Sequence, residues 1–273
     1  MRTSSILLPA LCASVFAAPV YPDLNINAAL PGDAIKDISQ YFNMLAQKTQ
    51  EGRQMAQAPA CDVTAAVMPV ASPSPLPAVS AGLVLKHVAI GRGTQNYTCD
   101  TTNSTAAPTA TGAVATLFNA SCIASTYPDL LNMLPRVSLA FNLTASGAYP
   151  KNLVPASTNA RLAPGNYVIS GHHFFTNTTT PFFNLDTDTL KLGEIPCSKA
   201  AAVNAPADAP TGQQGEKAVP WLKLSAREGA TGRLQEVYRL ETAGGSAPST
   251  CAGMPASFEV EYSAQYWFYE SSS

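Results

Sequence analysis

Charge is scarce in this chain. Asp, Glu, Lys and Arg make up 12% of its 273 residues, and the formal net charge is −2. No basic run occurs, which removes the electrostatic footprint that nucleic-acid binding needs. Beyond the N-terminus no stretch has the roughly 18–20 uninterrupted apolar residues of a membrane helix, so no membrane insertion is expected. A C-x-x-C pair is lacking, which leaves neither a zinc ribbon nor a thioredoxin-type redox motif. A G-x-S-x-G nucleophile elbow is lacking as well. Of the three histidines, two are adjacent, His172 and His173. On a strand such neighbours face opposite ways, so they cannot share one metal ion. The sequence therefore leads to the expectation of no metal site and no cofactor.

What is present first concerns compartment. MRTSSILLPALCASVFA has Arg2 in a short n-region, an apolar run from Ile6 to Phe16, and the small residues Val15 and Ala17 where a signal peptidase reads. Residues 1–17 are expected to be a cleaved signal peptide. Five N-x-S/T acceptors follow, at Asn96, Asn103, Asn119, Asn142 and Asn177. Together they predict a secreted glycoprotein, extracellular or in a cell wall. Cleavage removes Arg2 and Cys12, leaving 15 basic residues against 18 acidic ones. It also leaves Cys61, Cys99, Cys122, Cys197 and Cys251, an odd set in which spacing does not determine connectivity.

Residues 18–59 read as a leader and an amphipathic helix, with Asp33 as cap and Ile35, Ile38, Phe42 and Leu45 at helical spacing, expected to pack on the domain. Residues 60–273 read as one β-rich domain. In Leu83–Asp100 the alternation turns Gln95, Tyr97 and Cys99 inward and the acceptor Asn96 outward. Further strands are predicted at Ala113–Cys122 (Phe118, Ala120 and Cys122 inward), Arg136–Thr144 and Tyr167–Phe175. A short helix is expected at Ser125–Leu134 and a long loop at Lys199–Lys217. A hairpin is expected from Val219–Ala226 and Arg233–Thr242. The last strand, Ser257–Tyr269, places Phe258, Val260, Tyr262, Ala264, Tyr266 and Phe268 on one face. The expected fold is mainly β, a single antiparallel sandwich or barrel with a short N-terminal helix.

Candidate chemistry is sparse. VLKHVAIGRG looks like the entry to a dinucleotide loop, but Asn96 stands where the third glycine belongs and the following NYTC is extended, not helical. Gly91 and Gly93 are better read as a bulge or bend. Asp186/Asp188 and Glu259/Glu261 read as solvated faces. The candidate catalytic residue is His173, with Gln95 and Tyr97 beside it. Trp221 and Trp267 are candidates for a binding surface on which sugar rings stack, Trp267 because it falls on the polar side of the last strand.

GRGTQNYTC (Gly91–Cys99), GAVATLF (Gly112–Phe118), GHHFF (Gly171–Phe175), AVPWLKLSA (Ala218–Ala226), TAGGSAP (Thr242–Pro248) and YSAQYWFY (Tyr262–Tyr269) occur in that order. On these motifs the chain resembles a secreted fungal and bacterial family of unknown function, whose fungal members are often labelled automatically as malate dehydrogenase. The resemblance implies secretion and a single β-rich domain, and it names no reaction. The broken glycine loop does not support the dehydrogenase label. It also implies a Cys99–Cys251 bridge, with Cys61 and Cys122 then forming the second pair and Cys197 left free. The expected role is that of a binding or structural protein outside the cell, with cell-wall polysaccharide or an extracellular protein as partner. The alternative is an extracellular hydrolase with its site around His173.

Overall fold

The computed structural model describes residues 32–54, 61–141, 161–162, 167–188 and 190–272. The signal segment and Asn142 lie outside the described residues. The elements are α1 (Gly32–Gln54), β1 (Leu83–Thr98), β2 (Thr109–Asn119), α2 (Ser121–Thr126), α3 (Pro128–Leu139), β3 (Arg161–Leu162), β4 (Tyr167–Asn177), β5 (Thr180–Asp186), β6 (Lys191–Val203), β7 (Trp221–Ala226), β8 (Leu234–Gly244) and β9 (Ser257–Ser271). The strands run in the order β2-β1-β9-β8-β7-β6-β5-β4, and antiparallel pairing of β2 with β4 joins the two ends. The result is an eight-stranded closed antiparallel barrel, with β3 attached to β4 alone. Closure removes the unpaired edges that an open sheet would expose.

Two apolar layers hold it together. Inside are Ala89, Ala115, Leu117, Phe183, Ile195, Leu224, Val237, Tyr262, Tyr266 and Phe268. Outside, Val88, Ile90, Tyr238 and Trp267 meet Leu130, Leu131 and Leu134 of α3, with Tyr41 of α1 in the same cluster. The N-terminal helix does pack on the domain, through a face rotated from the expected one. Tyr41 is fully buried whereas Ile35 and Phe42 are exposed, and Asp37 pairs with Arg136 at 3.1 Å.

Three local expectations are corrected. The segment Arg136–Thr144 was expected as a strand, yet α3 runs through to Leu139. Val137 and Leu139 satisfy a period of two, but Leu130, Leu131, Leu134 and Val137 satisfy the helical spacing and are the residues that α3 buries. Pro135 sits inside this helix, where it removes the N–H that would bond to the Leu131 carbonyl. Gln265 Nε2 of β9 donates to that carbonyl instead, at 3.3 Å. Second, β2 stops at Asn119 and turns Ala113, Ala115 and Leu117 inward, so that Phe118 and Ala120, expected inside, lie in the outer layer, and Cys122 is exposed on α2. Asn119 Oδ1 accepts from Ser121 N at 3.0 Å and so starts the helix. Third, the loop expected at Lys199–Lys217 begins later, because β6 extends to Val203.

Gly91 and Gly93 do not mark a bulge. The register of β1 runs without a shift through both glycines on each side; the irregularities fall at Asn96/Tyr97 and at Leu85/His87. What the glycines allow is close approach. A Cβ on Gly91 would lie 2.4 Å from the Tyr266 ring, and one on Gly93 would lie 1.9 Å from the Val114 carbonyl oxygen. A side chain at either position would push the barrel wall or its filling apart.

Candidate functional site

β9 explains where the expected sugar-stacking residues went. Its inward row is the one read from the alternation, but its outward row is buried too: Ser263, Gln265 and Trp267 are each 0% exposed. α3 covers them. Ser263 Oγ meets Ser138 Oγ at 3.0 Å, Gln265 Nε2 donates to Asn132 Oδ1 at 2.9 Å, and the Trp267 indole donates to Gln265 Oε1 at 2.9 Å. Trp221 is only 2% exposed and belongs to the same outer cluster. Neither indole offers a face to a sugar ring, which corrects the stacking surface expected at Trp221 and Trp267; Trp221 Nε1 is buried without a hydrogen-bond partner.

The histidines are also buried. His173 points into the barrel, stacked on Phe183 with ring centroids 4.2 Å apart, and its Nδ1–H donates to the Phe182 carbonyl at 3.0 Å. Burial, and secondarily Arg239, pushes its pKa down to about 4, with the Phe182 bond opposing. It is therefore neutral at pH 7. Among the described residues no hydroxyl or carboxylate is hydrogen-bonded to it, so it lacks the partner a general base would serve. His172, its neighbour, takes the outer face and is half-buried. His87 is the histidine that meets serines, at 3.0 Å from Ser121 Oγ and 2.9 Å from Ser170 Oγ. All three of these residues are buried and no carboxylate joins them, so the set reads as a satisfied core network. Among the described residues no three His, Cys, Asp or Glu side chains are grouped as metal ligands would be.

One interior cluster is different. Gln95 and Tyr97 are both 9% exposed, and Gln95 and Tyr262 both lie against Gly245. Tyr97 donates to the Gly245 carbonyl at 2.8 Å, and the Tyr262 and Tyr266 hydroxyls are 2.8 Å apart. Tyr266 also takes a hydrogen bond from Arg239, and desolvation raises its pKa, as it does that of Tyr97. Both phenols are thus uncharged at neutral pH. Arg239, on β8, donates through Nη2 to the Pro220 carbonyl at 2.9 Å. Gly245 joins the two ends of the cluster: a Cβ on it would lie 3.2 Å from Gln95 Cγ and 3.1 Å from Val219, the residue before Pro220.

Two donors in this cluster are unused. Gln95 Nε2 and Arg239 Nε are buried and have no hydrogen-bond partner. Each such group costs about 1–3 kcal/mol when left bare. Arg239 carries a further anomaly. Four charged side chains among the described residues are buried: Arg92, Lys223, Glu236 and Arg239. Arg92 is paired with Glu261, and Lys223 with Glu236 at 2.9 Å. No described carboxylate forms an ion pair with Arg239. A buried charge without a counter-charge costs several kcal/mol, so its persistence needs a reason. Sequence reading missed Arg239. The signal was there, as a lone cation in a strand (LQEVYRLET) whose two faces both carry apolar residues.

The free cysteine and the bridges complete the picture. Cys99 is bonded to Cys251 and Cys61 to Cys122. Cys197 is buried in the barrel, where desolvation pushes its thiol up to about 12 and leaves it unreactive.

The match that decides the family spans residues 79–270, which is the whole barrel: it is to a protein of unknown function, DUF3455. The chain belongs to the DUF3455 family. No curated protein and no solved structure matches it. The two disulfides are consistent with an extracellular location for this DUF3455 protein, and no described helix is long and apolar enough to cross a membrane.

Proposed function

We propose that this DUF3455 chain is a secreted, N-glycosylated binding protein that holds a small ligand at the Gln95–Arg239 end of its barrel, outside the cell or in the cell wall. The observation that carries the reading is the pair of unused, buried donors, Gln95 Nε2 and Arg239 Nε, in one interior cluster. A purely structural core leaves few such groups, whereas a ligand site keeps them for its ligand. His173 fits the same role. A neutral ring stacked on Phe183 shapes the apolar side of a site better than it serves proton transfer. In this reading residues 1–17 direct export, residues 18–59 deliver α1, and residues 60–273 do the binding.

Thermal shift of the purified protein against a panel of neutral and charged small molecules and cell-wall oligosaccharides tests it. At least one compound should raise the midpoint in the native protein and not in Gln95→Leu. A panel without a single stabilising compound, or one whose hits stabilise Gln95→Leu equally, overturns the reading.

Secretion carries its own expectation at the glycan sites. Asn103 and Asn177 are exposed, while Asn96 and Asn119 are half-buried. Glycopeptide mapping of the secreted protein is expected to find glycans on Asn103 and Asn177 and a bare Asn119. Bare Asn103 and Asn177 would contradict the secretory assignment.

A further inference from the structure

The structure also bears on what kind of ligand the barrel end accepts. Of the three buried cations among the described residues, Arg92 pairs with Glu261 and Lys223 with the buried Glu236, whereas no described carboxylate pairs with Arg239. Its neighbours do not supply a negative charge. Gln95 carries none, and Tyr97 and Tyr266, whose pKa values burial raises, carry none at neutral pH. Nor do they add a second cation: Arg92 faces the outer layer, where it donates to the Ser138 carbonyl and pairs with Glu261, and Lys223 donates to the Ala78 carbonyl. The cluster therefore has one positive charge to offer. Pro220 takes one hydrogen of Nη2, the Tyr266 hydroxyl takes another from the guanidinium, and Nε is unused. A guanidinium edge of this kind matches the two oxygens of a carboxylate. Gln95 Nε2 adds a neutral donor from the next strand but one.

We propose that the Arg239–Gln95 cluster binds a small monocarboxylate, which supplies the counter-charge that no described residue of the chain gives Arg239. This rests on the binding reading above. A single guanidinium among neutral phenols suits a monoanion better than a phosphate dianion, whose second charge would stay unpaired in a desolvated site.

The probes are acetate, its neutral counterpart acetamide, and inorganic phosphate, titrated at pH 7 and followed by calorimetry and thermal midpoint. Acetate is expected to bind saturably and in preference to acetamide and phosphate. Arg239→Met should lose at least about 30-fold in acetate affinity. The same variant supplies a control on folding. Removing a buried charge that nothing pairs should leave the ligand-free midpoint unchanged or raise it. A lowered ligand-free midpoint would mean that Arg239 is held for the Pro220 and Tyr266 bonds alone, and the proposal falls. Equal acetate binding by Arg239→Met, or absence of acetate binding, also overturns it. Stabilisation by a neutral compound that Gln95→Leu abolishes, without any by acetate, defeats the carboxylate inference and leaves the binding reading standing. Failure of every compound removes both.

Discussion

Serine at both Cys99 and Cys251 is expected to lower the stability of the protein by about 5 kcal/mol, the largest effect of any single change considered. The bridge joins residues 152 apart in sequence. Cross-linking so distant a pair removes much of the denatured chain's freedom, and the chain-entropy relation gives about 5 kcal/mol for a loop of that length. Domains of this kind have only about 5–15 kcal/mol in all. What remains at the junction is modest. The Cys99 amide donates to the Ala256 carbonyl at 3.0 Å, the Cys251 amide to the Ala106 carbonyl at 2.8 Å, and Tyr97 to Gly245 at 2.8 Å. These bonds hold the loop in the folded state but do nothing to restrict the unfolded one. The second bridge, Cys61–Cys122, spans 61 residues and should contribute somewhat less. Chemical unfolding of the two double-serine variants, beside the parent and without reductant, measures both. A loss below about 1 kcal/mol for the Cys99–Cys251 pair would defeat the expectation, as would a larger loss for the Cys61–Cys122 pair.

The second large effect is acid lability between about pH 6.5 and 4. Burial lowers the pKa of His87 and of His173 to about 4, whereas an unfolded histidine titrates near 6.5. Above pH 6.5 both states hold these rings neutral, and pH has no effect through them. Below it the unfolded chain takes up protons that the folded one refuses, so stability falls as pH drops towards 4 and levels off beyond. Each ring is worth roughly 3 kcal/mol across that window. Glu236, whose carboxyl is lowered by its bonds to Ser80 and Lys223 against the cost of burial, adds to the loss at the acid end. Glu241, raised by burial and by Asp208, works the other way. The measurement is the denaturant midpoint at pH 7.5, 5.5 and 4, with His173→Gln as the variant whose slope should be shallower. Equal midpoints at pH 7.5 and 4 would show that the rings take up protons without cost.

Much of the barrel was legible beforehand, and particular elements show why. In β1 and β9 the alternation identifies the inward rows correctly, because the pleat sends successive side chains to opposite sides whatever surrounds the strand. α1 was legible from its spacing, and the β7–β8 hairpin from its glycines. α3 was not. A stretch of leucines, valine and proline satisfies two periods at once, and the choice between them is made by the wall of β9 on which it lies. Trp267 was misplaced for the same reason. Its row was read correctly as facing away from the barrel interior, but not as covered by a second layer. Of the site, Gln95, Tyr97 and His173 were legible as inward polar residues. Arg239 was not, since its importance lies in a carboxylate that no part of the described chain supplies.

By itself, then, the sequence determined the alternation of β1 and β9, the family, and the cysteines available for bonding. Only the tertiary structure decided that β2 closes on β4, that helices bury the outer row of β9, and that no described carboxylate pairs with Arg239 while Arg92 and Lys223 each have one. The division has one physical cause. Periodicity is a property of a few consecutive peptide units, whereas closure, coverage and charge compensation depend on which distant segment comes to lie against each face.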